Sequence, residues 1–536
     1  MGSAASACIV VGQPNLADTF DPQELQRAVQ AQQSMLFRDA DSWQELVRYR
    51  KTVDDAWSNM QSQQRWILLD THGARNVPLH EGLFRFKLDV GDDSPFVLAS
   101  GLLGGLLAFS LDGKCVWSNP EPAHPWPHVE ASEGYLIQSI GRDERLDEDH
   151  LVVWSRNNYD QSRIVAEDVD ILTGHAFDAN IPQIQRFMPM RWITLPAEVR
   201  ATKLRYPYYL GASVADRKLF RQDLSSDELP KALDISDLWT TPGMLDPSVR
   251  YVEILFELAL VAGSKAITVW DFQSESGDGN LLTMFPPYPP PELLDKPVHH
   301  YLDMQRQPMF SAVHHDCVGG HGRNVVATTY FSIVDSPFSH AIDGGKLLWM
   351  SQFTNFLSSN QYYDLEGVCV VLRSDVRIVQ LSVENGRCAF IGQPTDRTFA
   401  LFAFNLKPWA NDPEFQEQPP RPTCLCYPLP FFGEPSRLEM TGDQIYVQAS
   451  AAFRPDEGEF RAAYENARET CLPDGYAGDF AWESMSGKLM SPVWETRKEA
   501  QMQSLDEEWQ KLRVRARAEH PIEGNDAFLV FEFVES

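Results

Sequence analysis

Seven residues gather metal-binding chemistry into a short span: His299, His300, His314, His315, Asp316, Cys317 and His321. Imidazole, thiolate and carboxylate groups hold zinc or iron, and His314, His315 and His321 are the candidate ligands. A metal centre needs three or four such groups converging on one point. Adjacent residues of a strand project to opposite faces, so His314 and His315 can serve one ion only where the strand ends. A hairpin of Ser311 to Asp316 against Asn324 to Tyr330, closed by a loop rich in His and Gly, is the simpler expectation. The sequence carries no G-x-S-x-G, no P-loop and no H-E-x-x-H. Gly101 to Gly105 is not followed by a helical pattern, and the acidic run Asp143 to Asp149 lacks the alternating ligand spacing of a calcium loop. No catalytic residue and no cofactor is assigned, and a non-enzymatic protein is expected.

The other chemistry at single residues is at the start of the chain. Met1-Gly2-Ser3-Ala4-Ala5-Ser6 matches the myristoylation template, and Cys8 is a second acylation candidate. One myristoyl chain anchors only marginally, so membrane attachment through Gly2 would need Cys8 as well. The same residues also read as a plain small-residue start.

Charge and cysteine usage bound the partners. Of 536 residues, 75 are Asp or Glu and 46 are Lys or Arg, a formal net charge of -29. Such a chain repels phosphate backbones, which argues against general nucleic-acid binding. The 8 cysteines include no CxxC pair, and no Asn-x-Ser/Thr acceptor occurs. A reducing compartment, cytoplasmic or nuclear, is expected. The most apolar stretches, Pro95 to Phe109 and Ile254 to Gly263, are shorter than a membrane span and read as buried strands.

These residues must be positioned by an all-β body with helical ends. After a flexible 1–20, residues 21–65 read as a helical segment, with Asp21 as cap and Leu25, Val29, Leu36, Trp43, Leu46, Val53 and Trp57 at mostly helix-compatible intervals. Short apolar runs follow, punctuated by Asp112-Gly113, Glu133-Gly134, Asp343-Gly344 and Asn385-Gly386, turns that favour antiparallel hairpins. Many hairpins over this length point to radial repetition, a six- or seven-bladed β-propeller over 66–451. Trp117 and Trp154, Trp270 and Trp349, and then Phe404 mark a loose period, and Val269-Trp270-Asp271 looks like a WD-repeat ending. The proline-rich Phe285 to Pro291 and Gln418 to Pro422 read as stiff spacers between blades. Residues 452–495 read as an irregular insertion and 496–519 as an amphipathic C-terminal helix with Met502, Leu505, Trp509 and Leu512 on one side; 527–536 supplies a strand that could close the ring.

Three groups of words resemble the propeller region of fungal F-box proteins: Phe310-Ser311-Ala312-Val313-His314-His315-Asp316, Val379 to Arg387, and Cys426 to Pro430 with Glu434 to Thr441. Asp41 to Val47 with Ala56-Trp57 is similar to the linker that follows the F-box in such proteins. The resemblance implies a substrate-recognition subunit of a cullin-RING ubiquitin ligase, with a Skp-type adaptor bound through the helical segment at Leu25, Val29, Leu36, Trp43 and Leu46. The Leu-Pro pair that opens such a box is missing before Asp39, so the F-box is degenerate or absent. Three readings follow: a protein-binding propeller in such a ligase, an F-box-free scaffold propeller that could be lipidated, and a propeller enzyme or metal-binding protein using the His cluster.

Overall fold

The computed structural model describes residues 42–69, 83–89, 95–101, 105–119, 129–143, 148–156, 187–195, 199–213, 218–226, 228–235, 249–255, 258–263, 267–271, 280–285, 309–321, 324–335, 348–353, 370–374, 377–384, 387–393, 398–405, 422–427, 429, 437–449, 480–484, 511 and 527–534. Of the sequence-derived elements, 1–20, Leu25, Val29, Leu36, Pro286 to Pro291, Gln418 to Arg421 and the helix over 496–519, Lys511 apart, lie outside these residues.

Within them, the helical segment includes α1 (Trp43–Ser58), whose N-cap is Ser42, while the expected cap Asp21 lies outside the described residues. Ser42 is extended, and its Oγ accepts the Glu45 N–H at 3.2 Å. Ser-Trp-Gln-Glu therefore opens the helix as Ser/Thr-x-x-Glu sequences do. Trp43, Leu46, Val53, Ala56 and Trp57 fall on one stripe and are buried. Strand structure starts at β1 (Gln63–Leu68), inside the expected helical range.

The strands then form sheets paired in chain order, with one exception given last. The first is β2 (Leu83–Asp89), β3 (Phe96–Gly101), β4 (Leu106–Ser110) and β5 (Cys115–Asn119). The second is β6 (Val129–Ser132), β7 (Tyr135–Asp143), β8 (Glu148–Arg156) and β9 (Phe187–Leu195). β10 (Val199–Arg205), β11 (Tyr208–Ser213), β12 (Lys218–Asp223) and β13 (Lys231–Asp234) repeat the pattern. So do β14 (Val249–Leu255), β15 (Leu258–Gly263), β16 (Ile267–Asp271) and β17 (Asn280–Phe285). Next come β18 (Met309–His321), β19 (Asn324–Asp335), β20 (Leu348–Phe353) and β21 (Val370–Ser374), then β22 (Arg377–Glu384), β23 (Arg387–Gln393), β24 (Ala400–Asn405) and β25 (Thr423–Cys426). β26 (Arg437–Met440) and β27 (Gln444–Ala449) begin another sheet. β28 (Phe480–Ser484), from the stretch read as irregular, pairs with β21 as a fifth strand. β29 (Ala527–Glu532) lies between β27 and β1, giving the order β26-β27-β29-β1.

These elements divide between two compact units: Ile67–Phe285 with Gly524–Phe528, and Met1–Trp66 with Pro286–Glu523 and Leu529–Ser536. In the first, alternate residues of a strand serve neighbouring sheets. Leu136, Val152 and Trp154 pack with Phe96, Leu98, Ala108 and Trp117 of the preceding sheet. Their strand neighbours Ile137, Leu151 and Val153 pack with Leu204, Tyr209 and Phe220 of the following one. Leu210, Ala212 and Leu219 continue the series against Val252, Ala259 and Trp270. Trp117 and Trp154 meet edge to face at 5.5 Å, so the spacing read as a blade period joins two packing partners, on β5 and β8, instead of equivalent positions.

In the second unit α1 lies on a core that includes Ala389, Ile391, Leu401, Ala403, Leu438, Ile445, Val447, Leu529 and Phe531. Its last turn carries no basic residue, which leaves the negative end of the helix dipole uncompensated by the helix itself. The cation comes from β23. Arg387, 2% exposed, pairs with Asp54 at 2.5 Å, donates to the Gly442 carbonyl, and lies 5.2 Å from the centre of the Trp57 ring. Phe533 stacks on Trp57 at 3.8 Å, and its N–H donates to the Asp443 carbonyl at 2.9 Å. Burial pulls the Arg387 pKa down, and Asp54 opposes that shift.

Two outcomes are expected. At Gly113, φ is +87° and an added Cβ would sit 1.9 Å from the Leu68 carbonyl oxygen, a backbone atom that cannot swing aside. Gly113→Ala should cost roughly 2–5 kcal/mol, read as a lower Tm by calorimetry. Asp54→Asn should lower Tm by roughly 5–10 °C, because it strands a buried guanidinium. Arg387→Met should cost less, since the one-third exposed Asp54 can turn to water, and equal losses from the two variants would refute this account.

Candidate interaction surface

In the unit containing β2 to β17, the last residues of β2, β6 and β10 are each bonded to the sheet that follows. Asp89, the last residue of β2, accepts the Gly134 N–H through Oδ2 at 2.7 Å. Ser132, the last of β6, accepts the Tyr206 N–H through Oγ at 3.2 Å. Arg205, the last of β10, donates from Nη1 to the Ile254 carbonyl at 3.3 Å. The β6–β7 and β10–β11 turns are thereby held side by side.

The β6–β7 turn has positive φ at both central residues, 52° at Glu133 and 81° at Gly134, the geometry that makes the tightest hairpins. Glycine takes this conformation freely, whereas glutamate does so at a cost of about 1 kcal/mol. Glu133 is exposed, and desolvation, then the nearby Asp89 charge, hold its carboxyl above the usual glutamate range while Arg205 pulls the other way. Tyr206 stacks flat on Tyr135 at 4.2 Å, placing the β10–β11 turn over the β6–β7 turn. The Tyr206-Pro207 bond is cis, and the Pro207 carbonyl accepts the Leu224 N–H at 2.8 Å. Tyr206, Pro207 and Tyr208 are half-buried, and the Arg221 guanidinium lies 5.8 Å from the centre of the Tyr208 ring. Tyrosine and arginine are groups that contribute strongly to protein contacts.

The sequence-derived candidates are placed as follows. His314 and His315 are successive positions of β18, opposite Tyr330 and Thr329, and His321 pairs with Asn324 at the end of the hairpin. The hairpin thus runs on to His321, and the expected His- and Gly-rich loop is mostly strand. Among the described residues no group of three or more His, Cys, Asp or Glu is arranged to hold a metal ion. His299, His300, Gly2 and Cys8 lie outside the described residues. Trp43 and Leu46, expected to face an adaptor, are buried at 8% and 3% in the core beneath α1. Cys388 is wholly buried, which pushes its thiol pKa well up and leaves it inert. No helix among the described residues is long and apolar enough to cross a membrane. Sequence reading found the Glu133-Gly134 turn but not its partners, since Asp89 and Gly134 are 45 positions apart.

No protein-family model matches the chain, and no curated protein does. Among solved structures it is similar to Hsv2p of Kluyveromyces lactis, with TM-score 0.33 and 10% identity over 70% of this chain and 94% of that one. BamB of Moraxella catarrhalis gives TM-score 0.35 and 10% identity over 72% of this chain and 94% of that one. Raptor of Chaetomium thermophilum gives TM-score 0.36 and 7% identity, covering 70% of this chain and 29% of that chain. Scores this low carry no argument about fold or function.

Glu133 yields a pH prediction. A carboxyl whose folded pKa is raised binds its proton more tightly in the folded state, so its favourable contribution is complete below the unfolded pKa and lost as pH rises through the folded one. Glu133→Gln should therefore raise Tm slightly at pH 7, with the gain vanishing as pH falls below about 4. A gain that persists or grows on acidification in calorimetry would contradict the assignment.

Proposed function

We propose that the protein is a non-enzymatic, cytosolic or nuclear interaction scaffold whose antiparallel sheets are the seven blades of a β-propeller. Each blade is a meander of four strands or more, and the chain's two ends contribute β1 and β29 to one sheet, as a circular array requires to remove a free edge. The observation that carries the functional reading is the pair of first turns at Glu133 and Tyr206-Pro207-Tyr208, which sets half-buried aromatic rings beside an exposed carboxyl. Rigid turns on a packed scaffold suit recognition, because little entropy is lost when a partner orders them further.

The finer reading is substrate recognition within a cullin-RING ubiquitin ligase, and it rests on the F-box-like words of the sequence. The test is a pull-down of purified Skp-type adaptor by the full-length tagged chain, with a fragment beginning at Asp41 as comparison. Capture that needs residues 1–40 supports the ligase reading. Failure of the full chain to retain the adaptor removes that reading and leaves the scaffold.

A further inference from the structure

The first turns of the β6–β9 and β10–β13 sheets bring together groups that together select one partner chemistry. Glu133 is exposed at the tip, and behind it stands Asp89, 3% exposed and held in place by the Gly134 N–H at 2.7 Å. Desolvation and then the Asp89 charge raise the pKa of this carboxyl, and Arg205 opposes them. Beside it the Tyr206 ring, stacked on Tyr135 and half-buried, leaves part of its apolar surface exposed. Such a juxtaposition fits a Lys or Arg side chain, whose aliphatic stem lies along the aromatic ring while the cation meets the carboxylate. The whole chain, at -29, favours the approach of a basic surface.

Resting on the scaffold reading above, we propose that the Glu133 and Tyr206-Pro207 turns form a docking strip for an extended segment of a partner protein, which places one Lys or Arg against Glu133 with an apolar neighbour over Tyr206. The partner is a protein, because the Glu133 carboxylate and the -29 charge of the chain disfavour the phosphates of nucleic acids and of anionic lipid headgroups.

The test starts from the full-length chain, immobilised and used to select from a phage-displayed library of random twelve-residue peptides. Selected peptides are synthesised, and their affinities are measured by fluorescence anisotropy. They should carry Lys or Arg beside an apolar residue. Affinity should fall about tenfold in Glu133→Asn and further in Glu133→Lys, weaken with added salt, and stay unchanged in Gln63→Lys, which adds one charge elsewhere. Asn suits positive φ, so Glu133→Asn carries the test even if Glu133→Lys melts early. Peptides that bind Glu133→Lys as tightly as the native chain overturn the strip and leave the scaffold reading standing. Recovery of no saturable peptide overturns both.

Discussion

A β-sheet with two apolar faces cannot stand alone in water, and that constraint organises most of what the structure describes. In β7, Leu136 packs with the sheet before it and Ile137 with the sheet after it. In β8, Val152 and Trp154 face one way and Leu151 and Val153 the other. Period-2 alternation usually separates core from solvent, but here it separates one core from the next. Each sheet therefore needs a neighbour on each side, and edge-to-face aromatic pairs such as Trp117 with Trp154 and Phe96 with Phe187 add about 0.5–1.5 kcal/mol each to the area they bury.

Apolar stacking alone leaves sheets free to slide, and the polar links at the strand ends remove that freedom. Each link satisfies a turn N–H or carbonyl that packing would otherwise leave without water. The unit containing α1 uses a costlier device, a nearly fully buried Arg387. Its guanidinium supplies at once the counter-charge for Asp54, a donor for the turn after β26 and the cation missing from the end of α1. Taking such a charge out of water is repaid only while every partner is present, so the cluster specifies where α1 sits more than it strengthens the core.

Local signals in the sequence were readable and distant ones were not. Asp112-Gly113 and Glu133-Gly134 announce hairpins because Gly113 and Gly134 take positive φ freely. The antiparallel strand content follows from those turns. The start of α1 had a visible signal in Ser42-Trp43-Gln44-Glu45, which the longer apolar periodicity from Asp21 obscured. By contrast Arg387 and Asp54 are 333 positions apart, and nothing in the composition around either residue announces a buried ion pair. The loose tryptophan period has a related explanation: Trp117 and Trp154 fill the gap between two sheets, so their spacing reports packing and not repeat length. The histidine cluster shows the same limit, since chemical type was legible while the extent of the β18–β19 hairpin depended on pairing.

The link position itself carries an argument about function. The last residue of the first strand is Asp89 in one sheet, Ser132 in the next and Arg205 in the third. A carboxylate, a hydroxyl and a guanidinium all do the same structural work there, because the geometry asks only for one acceptor or donor within reach of the next sheet. Holding the sheets in register therefore leaves the charge at this rim largely unconstrained. Charge is what a partner reads first at long range, and the residues set directly beside the links, Glu133 and Tyr206, are held by bonds made through their neighbours and backbone instead of their own polar tips. Charge at these turns can therefore change without changing how the sheets are joined.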